Sequence, residues 1–134
     1  MGGRQQISFI DLVQQVPSRI ALALARRRFP NLCAPGILGR AVTAPAVDLD
    51  EIAVAMSILW RCRRTKCLGV HTSDLAQTIS HLTGHDVSVG AIIAAAMALR
   101  FRVTTFRVPR AFYPNAMIGV HRADIRKLMR GARR

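Results

Sequence analysis

The sequence predicts a mainly α fold with a small β-hairpin, an α+β chain, and three observations predict it. Leu49, Ile52, Ala53, Met56, Leu59 and Trp60 recur at three- and four-residue intervals, the spacing of one helical face. Two further stretches, Thr72 to Leu82 and Ser88 to Leu99, repeat that periodicity on either side of a Thr83-Gly84-His85-Asp86 break. FRVTTFRV (101–108) and AMIGV (116–120) are short and rich in β-branched and apolar residues, with Pro109 and Pro114 bracketing the connection between them. They read as two strands.

Each element has a local reason. Residues 1–47 read as an N-terminal helical extension and a Pro/Gly-rich linker, and 48–134 as the body with a basic C-terminal tail. Ser8-Phe9-Ile10-Asp11 resembles a capping box that opens a helix. Pro17 ends or kinks that helix, and Ser18 can cap a second one running from Arg19 to Phe29. Arg26, Arg27 and Arg28 fall in its last turn, where the helix dipole favours cations and where phosphate could also bind. Pro30, Pro35, Gly36, Gly39 and Pro45 punctuate an aperiodic segment.

Asp48-Leu49-Asp50-Glu51 is a second capping box and starts the strongest helix, which should reach about Thr65. Trp60 lies on its apolar stripe, so core packing is expected of it. Leu68 to His71 is short and extended. Gly84 is placed to end the next helix, and Ser88 to cap the one after it. Phe101, Val103, Phe106 and Val108 do not keep one parity, which predicts a bulge between Val103 and Phe106. Arg122 to Arg130 forms a last helix with Ile125, Leu128 and Met129 inward, and Arg133 and Arg134 extend its basic end.

Charge narrows the function. Twenty basic residues stand against seven acidic ones, a net charge of +13, and only Lys66 and Lys127 are Lys. Such an excess predicts a polyanionic partner, and Arg suits forked contacts to phosphate. The apolar fraction of 51% is enough for a core. The longest uncharged apolar run, Ala91 to Leu99, is too short to cross a bilayer, so no membrane partner is expected. The N-terminus lacks the order of a signal peptide, and three cysteines is an odd number. A cytoplasmic protein with reduced thiols is expected, nucleoid-associated if it binds DNA.

From Asp48 to about Arg130 the order is helix, short strand, helix, helix, hairpin, helix. With the Ser73-Asp74-Leu75-Ala76 opening of the helix pair, this resembles the winged-helix (winged helix-turn-helix) DNA-binding domain. The resemblance implies a wing that reaches a minor groove or the backbone, and a second helix that enters a major groove. That helix departs from the pattern. Its outer faces carry Gly90, Ala91, Ala94, Ala95, Met97 and Ala98, with no base-reading side chain before Arg100. It is either a smooth rod in a groove or a surface for close packing against the N-terminal helices or a second subunit.

Nucleic-acid binding, duplex DNA ahead of RNA and of low sequence specificity, is therefore expected through Arg63, Arg64, Lys66, Ser88, Arg100, Arg102, Arg107, Arg110 and Arg122. The role would be that of a transcription regulator or an architectural or replication accessory factor. An RNA-binding or ribonucleoprotein-associated protein and a winged-helix protein-interaction module are the alternatives, and a homodimer is compatible with each. Phe112 and Tyr113 are candidate stacking residues for a single strand.

No cofactor and no enzyme activity are expected. Cys62, Cys67, His81 and His85 form C-x4-C-x13-H-x3-H, close to a zinc-finger spacing. The helix break at Thr83-Gly84 and the missing packing aromatic count against it. The acids mostly open helices, without a cluster that would hold catalytic magnesium. His121, near Asp124, is the one acid–base candidate, and a helix cap is the simpler account of it.

Overall fold

The computed structural model describes residues 9–37, 44–67, 69–105 and 116–132. Among them α1 (Phe9–Arg28), β1 (Leu32–Cys33), β2 (Gly36–Ile37) and α2 (Leu49–Leu59) come first. There follow β3 (Val70–His71), α3 (Thr72–Thr83), α4 (Val89–Ala98), β4 (Val103–Thr105), β5 (Ala116–Ile118) and α5 (Arg122–Ala132). The fold is the expected mainly helical α+β type. Its antiparallel sheet has the order β3-β5-β4, and a separate ribbon pairs β1 with β2.

Helix α4 organises the rest. Its sequence, VGAIIAAAMA, has no charged residue, and every residue from Gly90 to Ala96 is buried. A helix that is apolar all round must be covered on all sides. Helices α1 and α2 make the most extensive contacts with it, and α3 adds another side. Small residues face it from α1, where Ala21 and Ala25 are fully buried, so the helix axes can approach closely. At its N-terminus, the Gly90 N–H donates to the Ala34 carbonyl at 2.9 Å. A Cβ on Gly90 would lie 2.1 Å from the Cys33 carbonyl oxygen, so only glycine fits there. Of the two uses open to the Ala-rich helix, the chain adopts packing: its small faces are covered by the chain's own N-terminal segment.

Caps set the boundaries. The Asp48 carboxylate accepts from the N–H groups of Asp50 at 2.7 Å and Glu51 at 3.4 Å. The second half of that capping box is used elsewhere: Glu51 Oε1 accepts from the Ser88 N–H at 2.6 Å, tying the start of α2 to the start of α4. Ser88 Oγ caps α4 by accepting from the Ala91 N–H at 3.2 Å. Gly84, at φ +72°, closes α3 in the left-handed conformation that glycine tolerates.

The structure corrects four expectations. Pro17 neither ends α1 nor separates two helices: one helix runs through it, the loss of one i→i−4 hydrogen bond being offset by the packing of α1 on α4 and α2. The punctuated segment holds the β1–β2 ribbon, with Leu32 opposite Ile37, in strands too short to leave a periodic signal. Helix α2 stops at Leu59 rather than near Thr65. Trp60 is outside the core, 66% exposed. The buried face of α2 is Ile52, Ala55, Ile58 and Leu59, rotated toward Ala55 from the expected stripe, which leaves Ala53 and Trp60 on its solvent flank. The β4–β5 register runs unbroken from Val103 opposite Ile118 to Thr105 opposite Ala116. The expected bulge ends at Phe106, which lies outside the described residues, as do Ser8, Phe112, Tyr113, Arg133 and Arg134.

Two glycine substitutions check this packing. Gly90→Ala should lower the free energy of unfolding by about 1–3 kcal/mol, as overpacking against backbone does. Gly131→Ala, whose added Cβ meets nothing within 4 Å, should be neutral or stabilising by up to about 1 kcal/mol in its helix. Denaturant unfolding of the two variants measures both.

Candidate nucleic-acid interface

Beyond α2 the chain runs antiparallel to the segment that leaves β5. The Thr65 N–H donates to the Gly119 carbonyl at 2.8 Å, and the His121 N–H to the Arg63 carbonyl at 3.1 Å. On its other side, the Gly119 N–H donates to the Arg102 carbonyl at 2.8 Å. Three backbone segments thus meet at Gly119, where a Cβ would lie 2.5 Å from the Thr65 carbonyl oxygen. Gly69, at φ +79°, crosses Ile118 more closely still, with a built Cβ 1.9 Å from the Ile118 carbonyl oxygen.

This layer gathers five of the predicted basic residues: Arg63, Arg64, Lys66, Arg102 and Arg122, all exposed. Two of them brace it. Arg102 Nη1 donates to the Lys66 carbonyl at 2.9 Å, and Arg122 Nε to the Gly69 carbonyl at 2.8 Å. A guanidinium has five N–H donors, so each keeps others for a ligand. Arg63 is differently placed. Its Nε and Nη2 fork onto the Asp124 carboxylate at 3.1 Å each, and its backbone N–H donates to Asp124 Oδ2 at 2.8 Å. Those hydrogen bonds hold the Asp124 carboxyl at about 2, well below the ordinary 3.8. Among the described residues this is the one ion pair, so Arg63's charge is neutralised while its neighbours carry theirs without a carboxylate partner.

Arg100 adjoins the layer through Phe101. It is the one described non-glycine residue with positive φ, +62°. The Phe101 N–H donates back to the Ala96 carbonyl at 2.9 Å, closing α4 with a turn whose left-handed position usually holds glycine. An Arg there costs about 1–2 kcal/mol. On the β4 side, Arg28 Nη2 donates to the Val103 carbonyl at 3.1 Å, with its guanidinium 4.9 Å from the centre of the Phe29 ring. This member of the α1 triplet clasps helix to sheet.

Ser88 is not part of this surface. It caps the opposite end of α4, about 15 Å from the Arg100 end at the rise of an α-helix. Arg107 and Arg110 lie outside the described residues. The residue of this surface that the charge pattern does not single out is Trp60. Trp60 lines an open recess of ≈ 590 Å³ with Arg63, Arg64, Phe101 and His121. No signal in the sequence separated it from the core, since its spacing from Ala53 and Met56 fits the apolar stripe equally well.

The zinc alternative does not assemble. Among the described residues, no group of three or more His, Cys, Asp or Glu is arranged to hold a metal. Cys62 is buried and its Sγ donates to the Ile58 carbonyl at 3.7 Å. Burial, and then the charge of Asp124, push its thiol up to about 11, so it is no thiolate near neutral pH. Gly84 ends α3 between His81 and His85, which breaks the helix that would align them. The His121 carbonyl accepts from the Asp124 N–H at 3.1 Å at the start of α5, and the Asp124 carboxylate is occupied by Arg63.

No protein-family model, curated protein or solved structure matches this chain. Among the described residues, no helix is long and apolar enough to cross a membrane.

The Arg63–Asp124 pair gives a pH signature. A carboxyl depressed in the folded state stabilises fully above its ordinary value of 3.8, and that contribution disappears as pH falls toward about 2. Asp124→Asn should therefore be less stable than wild type near neutral pH, and the two unfolding midpoints should converge on acidification through that window. Parallel midpoints across the whole range would contradict the pairing.

Proposed function

We propose that this chain binds nucleic acid through phosphate contacts from Arg64, Lys66, Arg100, Arg102 and Arg122, with little sequence preference. The observation that carries the reading is the gathering of these cations around Gly119, where the one ion pair among the described residues, Arg63–Asp124, leaves the others without a carboxylate partner. Arg100 supports it from another direction. A long cation kept at a position that favours glycine is a local cost, and such costs collect at functional sites.

The element order from α2 to α5, with sheet order β3-β5-β4, supports the winged-helix reading, with β4 and β5 as the base of the wing. The mode of binding is different from the one that resemblance implies. Helix α4 is covered, so its residues do not read base edges, and affinity comes from the backbone of the nucleic acid. Binding of that kind suits a regulatory, architectural or replication accessory role, in the cytoplasm or on the nucleoid.

A salt titration with duplex DNA, single-stranded DNA and duplex RNA tests the proposal, using wild type and Arg100→Gly. Affinity should fall steeply and linearly on a log–log plot. Arg100→Gly should flatten that slope by about one unit while raising unfolding stability by about 0.5–1 kcal/mol. Unchanged affinity and slope in the variant would remove Arg100 from the site. No binding to any of the three at low salt would overturn the proposal. A protein contact on the exposed apolar outer face of α1, at Val16, Ile20 and Leu24, would then be the better account.

A further inference from the structure

We propose that Trp60 and the recess beside it hold an unpaired nucleobase, so that the preferred partner is single-stranded nucleic acid. This rests on the phosphate-binding reading and names its substrate class. Trp60 is a large, rigid aromatic side chain left 66% exposed, so its ring face is accessible for stacking. Packing does not require it there, since the buried face of α2 is complete without it in Ile52, Ala55, Ile58 and Leu59.

Its surroundings select the occupant. Trp60 shares the recess with Arg64, Phe101 and His121, and the ≈ 590 Å³ volume falls in the range of ligand clefts, roughly 300–1,000 Å³. The next residues in the chain are Arg61, Cys62, Arg63 and Arg64, and the three Arg side chains are exposed. The Asp124 carboxylate beside them is already forked by Arg63. An aromatic ring beside the Arg64 guanidinium, which has no carboxylate partner among the described residues, suits a flat ring that carries a phosphate. That is the pattern of single-strand binding surfaces, where bases stack on aromatics and a basic track follows the backbone. A base inside a duplex has both faces occupied by its neighbours, so duplex binding would use the Arg side chains and leave Trp60 untouched. An acidic protein segment would satisfy the charge but offers no planar ring, and it is therefore the weaker fit.

The chain has one tryptophan, so its fluorescence reports this ring alone. The test titrates the full chain with an unlabelled oligo-dT and with a duplex of equal phosphate content, following tryptophan emission. Anisotropy of a labelled oligo-dT gives affinities for wild type, Trp60→Ala and Trp60→Phe. The expected result is quenching by oligo-dT and little by duplex. Trp60→Ala should lose affinity for oligo-dT by about ten-fold or more, as loss of one stacked base does, and Trp60→Phe should recover most of it. Duplex affinity should be unchanged in all three. Binding of oligo-dT without quenching, and with Trp60→Ala equal to wild type, would overturn the stacking site while leaving phosphate binding intact. Equal quenching by the duplex would also overturn it. Absence of binding by every nucleic acid would overturn both readings.

Discussion

Helix α4 has no face that water can wet favourably. Ile92 and Ile93 are fully buried, and alanines fill the positions around them. Burying each isoleucine is worth about 1.5–3 kcal/mol, and the gain is realised only when several elements cover the helix together. This requirement explains the placement of the other helices. Helix α1 presents Ala21 and Ala25, α2 presents Ile52, Ala55 and Leu59, and α3 presents Leu75 and Ile79, all buried. The small residues of α4 are matched by small residues on α1, which allows the axes to come close and dispersion contacts to accumulate. The Gly90 contact with the Cys33 backbone seals the helix at its N-terminus.

That burial also directs the charge. With the centre of the molecule apolar, the cations are confined to the perimeter, and the crossing at Gly119 collects them. Backbone rather than side chains sets the spacing there. Gly69 and Gly119 let three segments approach to hydrogen-bond distance, and Arg102 and Arg122 then reach across to carbonyls that the crossing presents. Asp124 takes one cation out of play and anchors the start of α5. The remaining guanidinium groups repel one another without a local counterion, and a bound phosphate chain would relieve that repulsion. Structure and proposed binding are thereby linked: the same crossing that stabilises the sheet produces its positive potential.

Local signals in the sequence translated well. Asp48, Ser88 and Gly84 act at helix ends where their side chains or backbone freedom predict, because capping depends only on a few adjacent residues. The periodic segments became α2, α3 and α4, and the short β-branched and apolar ones contain β4 and β5. Tertiary choices were less legible. Periodicity says which positions of α4 are apolar and leaves open what covers them, so the role of α1 emerged only from the packing. A rotation of about one residue in the α2 stripe moved Trp60 from core to solvent. Charge counting found the basic residues but not their partners: Arg63 and Arg64 are one residue apart, and only Arg63 meets Asp124. Ser88 carried two readings, a cap and a phosphate contact, and its geometry is that of a cap.

In the proposed binding mode, nucleic acid meets the layer around Gly119 while α4 stays covered. Hydrogen–deuterium exchange with and without bound oligonucleotide tests it most directly, because backbone amides on both surfaces are read in one experiment. Protection on binding is predicted in residues 60–67, 100–104 and 119–122, with no change in the amides of 92–96. Slowed or accelerated exchange in 92–96, with residues 60–67 unchanged, would show that α4 uncovers to meet the ligand and that the layer around Gly119 is not the binding surface.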